Sequence, residues 1–177
     1  DENINNRLRG IPRMASLEVI LEHNGVKLSK EEKEFLFERQ KVFKILQNRK
    51  TSINERFVEL ATNYGLKLEE FTADFIKNAY LSLEMLDNNW SKVLNKININ
   101  LKFENELHFE QFAVYLVYRH FKRVFKTKYY SKCIKFVISA CVLLNSVSQN
   151  DFVELARMFS SEIEYSEENM LAILEKM

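Results

Sequence analysis

Apolar residues return along most of this chain at intervals of three and four, the spacing that lines one face of an α-helix. Ser16 to His23 predicts a short helix with Ser16 as N-cap, Leu17, Ile20 and Leu21 inward, and Gly25 placed to end it at positive φ. Ser29 and Glu32 form a capping-box pattern, and the helix that follows should run to about Gln47 with Phe35, Leu36, Val42, Phe43 and Leu46 inward. A second box, Ser52 with Glu55, precedes Phe57, Leu60, Ala61 and Tyr64 before Gly65 closes that helix, and the two helices should pair antiparallel. Leu68 to Met85 reads as one helix turning Phe71, Phe75, Ala79, Leu83 and Leu86 inward. Asp87, Asn88 and Asn89 then favour a break, and Trp90 opens a short helix toward Ile97.

The second half is more regular. Phe109, Phe112, Ala113, Leu116, Val117, His120, Phe121 and Val124 mark one continuous helix. Helices from about Tyr129 to Leu144, Asp151 to Ile163 and Ser166 to Lys176 complete the pattern. The expected fold is all-α, an irregular bundle of about eight helices without a fixed-period repeat. Residues 1–15, with Arg7, Arg9, Gly10 and Pro12, read as an arm or linker, 16–177 as the helical domain, and the polar stretch 98–105 as a candidate subdivision.

Composition narrows the chemistry. The 177 residues are 46% hydrophobic, enough for a core, and hold only three glycines and one proline, too few turn formers for a many-turned β fold. Glycines at 10, 25 and 65 make no phosphate loop and no dinucleotide fingerprint. The longest uncharged run, Phe136 to Asn150, includes Ser139, Asn145, Ser146 and Ser148 and falls short of the roughly 20 apolar residues of a membrane span, so it reads as a buried helix and no membrane partner is expected. Cys133 and Cys141 stand eight apart in this apolar region and read as unpaired core thiols. With no secretory leader in view, a cytoplasmic setting is expected, and the opening Asp in place of Met suggests a piece of a longer protein.

The net charge of +1 conceals a strong asymmetry. No acid occurs between Gln111 and Asn150, where Arg119, Lys122, Arg123, Lys126, Lys128, Lys132 and Lys135 lie, whereas Asp151 to Met177 holds seven acids against Arg157 and Lys176. As a continuous helix, Arg119, Lys122, Arg123 and Lys126 would share one face, with Tyr115 and Tyr118 close by and Lys132 on the next helix. Such a face could focus a phosphate, a carboxylate-bearing cosubstrate, an acidic protein or, less favourably, a nucleic acid. The plainer reading is a solvated face balanced by the acidic C-terminal helices. His23, His108 and His120 lack the i+3 or i+4 partner of a metal pair, and His120, on an apolar face, reads as a hydrogen-bonded core histidine. No metal site and no catalytic constellation stands out.

Four segments in order resemble the flagellin lysine-N-methylase family. Ile45 to Arg56 is similar to its "ILQNR, SL, ER" stretch, Phe109 to Phe125 to its aromatic helix, Met158 to Ser166 to its "FSREIEHS" signature, and Leu86 to Trp90 has a counterpart as well. Ser161 stands where the family favours Arg and Tyr165 where it favours His, and the family's Cys-rich stretch, expected to hold a metal or iron-sulfur cluster, has no equivalent here. The resemblance implies a protein that transfers methyl groups from S-adenosylmethionine to lysines of flagellin or another protein, with no metal cluster in this chain. It carries over Gln47, Asn48, Arg49 and Arg56 as motif positions without a catalytic role. The alternative is a non-enzymatic helical module that docks an acidic protein or a nucleic acid through the basic face.

Overall fold

The computed structural model describes residues 23–99, 102–147 and 151–177, and these fold into helices without a strand. The helices are α1 (Lys30–Leu46), α2 (Ile53–Asn63), α3 (Ala73–Leu81), α4 (Asn88–Leu94), α5 (Glu106–His120), α6 (Tyr130–Val147), α7 (Phe152–Phe159) and α8 (Glu167–Lys176). The all-α expectation is met. The helix expected at Ser16 to His23 and the arm at 1–15 lie outside the described residues, apart from His23. The chain divides into two compact units, 1–41 and 42–177, so the division falls inside α1.

In the first unit, Ser29 caps α1 as its sequence demands. The Glu32 amide donates to Ser29 Oγ at 3.2 Å while the Ser29 amide donates to Glu32 Oε2 at 2.7 Å, satisfying two amides that the helix start would leave without partners. Gly25 takes φ +77°, the left-handed conformation expected of it.

The second unit is organised around α6, buried on every side from Phe136 to Ser146 and packed against α2, α5, α7 and α8. It is long and apolar enough by composition to cross a membrane, yet 72% of it is buried inside the protein. Phe159 of α7 sits at the centre of an aromatic cluster, its ring 5.6 Å from Phe112, 6.0 Å from Tyr80 and 6.2 Å from both Trp90 and Phe136. That cluster joins α3, α4, α5, α6 and α7, and burying each such ring contributes roughly 1.5–3 kcal/mol. The second capping box is present, and α2 ends in a Schellman turn. The Leu66 amide donates to the Ala61 carbonyl at 2.8 Å and the Gly65 amide to that of Thr62 at 3.2 Å, with Gly65 at φ +68°. The polar stretch near residue 100 is tied to α6, since the Asn98 amide donates to the Ser146 carbonyl and Asn145 Nδ2 to that of Lys102.

Three expected helices are broken, the first by a cap and the other two by packing. Leu68 to Met85 is a 3₁₀ turn at Leu68–Glu70 followed by α3, because Thr72 Oγ1 accepts from the Phe75 amide at 3.1 Å and starts a new helix there. The inward face becomes Ile76, Ala79, Tyr80 and Leu83, and Leu86, expected inside, is 53% exposed. The helix expected through Val124 stops at His120, and Phe121–Val124 winds as 3₁₀, which stacks residues three apart and so buries both Phe121 and Val124. After α7, Ser160–Glu164 opens into a π turn closed by the Tyr165 amide on the Ser160 carbonyl at 3.0 Å. The wider turn lets the consecutive residues Glu162, Ile163 and Glu164 all be buried.

Candidate functional site

The turn between α1 and α2 delivers two arginines to one glutamate of α5. Arg56, in the first turn of α2, is buried, and its Nη1 donates to Glu110 Oε2 at 2.8 Å and to the Leu46 carbonyl at 2.7 Å. Its Nε donates to the Thr51 carbonyl at 3.0 Å, and Nη2 lies 3.4 Å from Glu106 Oε2. Arg49 meets Glu110 from the solvent side, with Nε 3.1 Å from both carboxylate oxygens and Nη2 2.8 Å from Oε1. Arg49 beside it, and Arg56 behind, hold the Glu110 carboxyl below the ordinary carboxylate range against the opposing effect of burial. Asn48 shapes the turn itself, its carbonyl accepting from the Thr51 amide and hydroxyl and its Oδ1 from the Lys50 amide.

Above this cluster lies an open groove of about 480 Å³ lined by Phe43, Gln47, Arg49, Glu110, Gln111, Val114, Tyr115 and Tyr118. Two residues of the family-like stretch, Gln47 and Arg49, therefore face the two tyrosines expected to assist the basic helix. A smaller apolar pocket of about 200 Å³ lies elsewhere, between Phe57, Phe71, Phe103, Ile138 and Val142.

Tyr115 connects the groove to a buried network. Its hydroxyl donates to Glu164 Oε1 at 3.2 Å and accepts from Arg119 Nη1 at 3.2 Å. His120, fully buried, donates from Nε2 to Glu164 Oε2 at 2.6 Å, and Ser160 donates to Oε1 at 2.5 Å. Burial would raise the Glu164 carboxyl, but the hydrogen bonds from His120, Ser160 and Tyr115 outweigh it and hold the group below its ordinary range. The Tyr115 phenol is raised, by its own desolvation and by the Glu164 charge. His120 is thus the hydrogen-bonded core histidine its position suggested.

The basic stretch is not the continuous α-helix expected of it. The 3₁₀ turn after His120 removes the α-helical register that would align Arg119, Lys122, Arg123 and Lys126. Arg119 Nε lies 3.4 Å from Glu164 and its guanidinium sits over the Tyr165 ring, while Arg123 clasps Glu167 with Nη1 at 2.5 Å and Nη2 at 2.9 Å. Lys132 donates to the Glu175 carbonyl and Lys135 pairs with Glu70 at 3.5 Å above the Phe75 ring. Lys122 and Lys126 are exposed.

Glu110 and Glu164, the two acids around which these groups assemble, were not singled out from the sequence. A signal for the first was present: with Phe109, Ala113, Leu116 and Val117, Glu110 falls in the apolar stripe of α5, where an ionised side chain demands a partner. Comparison with protein-family models, with curated proteins and with solved structures finds no match to this chain.

Proposed function

We propose that this chain is the helical substrate-docking domain of a flagellin lysine-N-methylase-like protein. The observation that carries the reading is the groove, where Gln47 and Arg49 of one family-like segment meet Tyr115 and Tyr118 of another. Tyrosine and arginine around a partly apolar floor are the residues that dominate protein recognition, because they offer large contact areas with fixed polar tips.

Docking suits the groove better than cosubstrate binding. S-adenosylmethionine carries an α-carboxylate, which an arginine such as Arg49 would hold, and an α-ammonium, a sulfonium and ribose hydroxyls, which a carboxylate would hold. Both oxygens of Glu110, the carboxylate of the groove, are already taken by Arg49 and Arg56. The one carboxylate lining the groove is thus engaged and leaves no anion for the cosubstrate's cationic groups, so the groove reads better as a docking surface. The non-enzymatic reading through the basic stretch has less support, since Arg119, Arg123 and Lys135 are engaged by Glu164, Glu167 and Glu70.

The test is methyl transfer from labelled S-adenosylmethionine to flagellin by the full reading frame that contains this chain. Lysine methylation that falls at least tenfold with Tyr118→Ala, in a protein that still folds, supports the reading. No transfer to flagellin or to any lysine-bearing protein overturns it.

A further inference from the structure

We infer that the groove between the α1–α2 turn and α5 takes an acidic, extended peptide segment, and that the end-on fork of Arg49 is its carboxylate receptor. Naming that segment as part of a methylation substrate rests on the proposed function; the chemistry of the occupant does not.

A guanidinium has five N–H donors in one plane and can grip two carboxylates, one along its Nε edge and one at its Nη1 and Nη2 end. Arg49 uses the Nε edge for Glu110, through Nε and Nη2, and no hydrogen bond among the described residues uses Nη1. Its side chain is 67% exposed, whereas that of Glu110 is 5% exposed. The cation thus faces the groove and the anion lies beneath it. Behind it Arg56 pairs with both Glu110 and Glu106, so the two carboxylates of the cluster are matched by two guanidinium groups and neither opposes a carboxylate arriving at Arg49 as an uncompensated anion.

The rest of the lining fits a peptide bearing that carboxylate. Tyr118 is 69% exposed, and Tyr115, its ring stacked on Phe112 at 6.4 Å, forms the adjoining wall, so the lining carries aromatic surface for apolar side chains. Gln47 and Gln111 carry amides that can pair with main-chain groups. A volume of about 480 Å³ is room for a few residues of extended chain. A substrate lysine is the wrong guest, since the charge displayed in the groove is positive. The segment recognised would lie beside the modified residue.

The probe is a fluorescein-labelled six-residue peptide with Glu alternating with Leu and Tyr, titrated by anisotropy against the chain, beside the same peptide with Gln for Glu. The expected result is binding of the Glu peptide at least about tenfold tighter than the Gln peptide, weakening as ionic strength rises past about 0.15 M. Arg49→Lys keeps a charge beside Glu110 but removes the fork, and should weaken the Glu peptide about tenfold while helix content is kept and the melting temperature falls only slightly. Tyr118→Ala, at an exposed position, is the second variant and should weaken both peptides. Equal affinity for the two peptides overturns the inference, as does retention of full affinity by Arg49→Lys. So does an anisotropy signal that follows self-association in sedimentation, or displacement of the peptide by a short oligonucleotide at lower concentration than by unlabelled peptide. Peptide binding without any methyl transfer removes the proposed function alone, and methylation of flagellin without discrimination between the peptides removes this inference alone.

Discussion

Arg56 and Glu110 stand fifty-four positions apart in sequence and meet at 2.8 Å, with side chains 3% and 5% exposed. Arg56 also holds the Leu46 and Thr51 carbonyls, so one guanidinium fastens the end of α1, the following turn and α5. Arg56→Leu should cost about 3 kcal/mol, because it leaves Glu110 with Arg49 alone and two carbonyls without their donor. Adding Glu110→Leu should recover part of that loss, giving an interaction energy of at least about 1 kcal/mol in a double-mutant cycle read by urea unfolding. Strict additivity of the two changes would show that the pair does not act as a unit.

Acid should unfold the protein through Glu110 and Glu164. Both carboxyls are held below their ordinary value of 4.5 in the folded chain. Above that value they are ionised in both states and their stabilisation is complete; as pH falls below it the unfolded chain takes up protons first, and the stabilisation is lost as pH passes through the folded-state values. Melting temperature measured from neutral pH downward should therefore drop below about pH 4.5. Glu164→Gln should lower stability at neutral pH and flatten that acid limb.

Gly65 separates backbone strain from steric clash. It holds φ +68° at the end of α2, and a Cβ built there would meet nothing within 4 Å. Gly65→Ala should cost about 1 kcal/mol through backbone strain alone. Gly65→Asn should cost less, because Asn tolerates the left-handed conformation, and chemical denaturation of the two variants ranks them.

The two thiols should stay silent until the chain unfolds. Cys133 and Cys141 are fully buried in α6, and burial pushes the Cys133 thiol up to about 12 and that of Cys141 higher still. A disulfide reagent at neutral pH should label neither in the native protein and both in denaturant. Rapid labelling of the native protein would show that α6 opens.

Much of the helical scaffold was legible because its signals are local. Ser29 with Glu32 and Ser52 with Glu55 satisfy amides only three residues away, and Gly65 relieves strain in its own backbone, so neighbouring residues suffice to place these ends. The burial of α6 beyond Lys135 was readable as well, since an uncharged, largely apolar run has to be enclosed.

Where helices bend was decided elsewhere. Phe121–Val124 tightens to 3₁₀ and Ser160–Glu164 widens to π so that Phe121, Val124, Ile163 and Glu164 all reach partners on other elements, and periodicity within one segment carries no record of those partners. The charges follow the same rule. Sequence alone determined that this chain forms helices with an apolar stripe and that its cations and acids are unevenly spread. Tertiary structure alone decided that Arg49 and Arg56 converge on Glu110 while Arg119 and Arg123 are held by Glu164 and Glu167, because ion pairing depends on distance in space between segments that lie some forty-four to sixty-one residues apart in the chain.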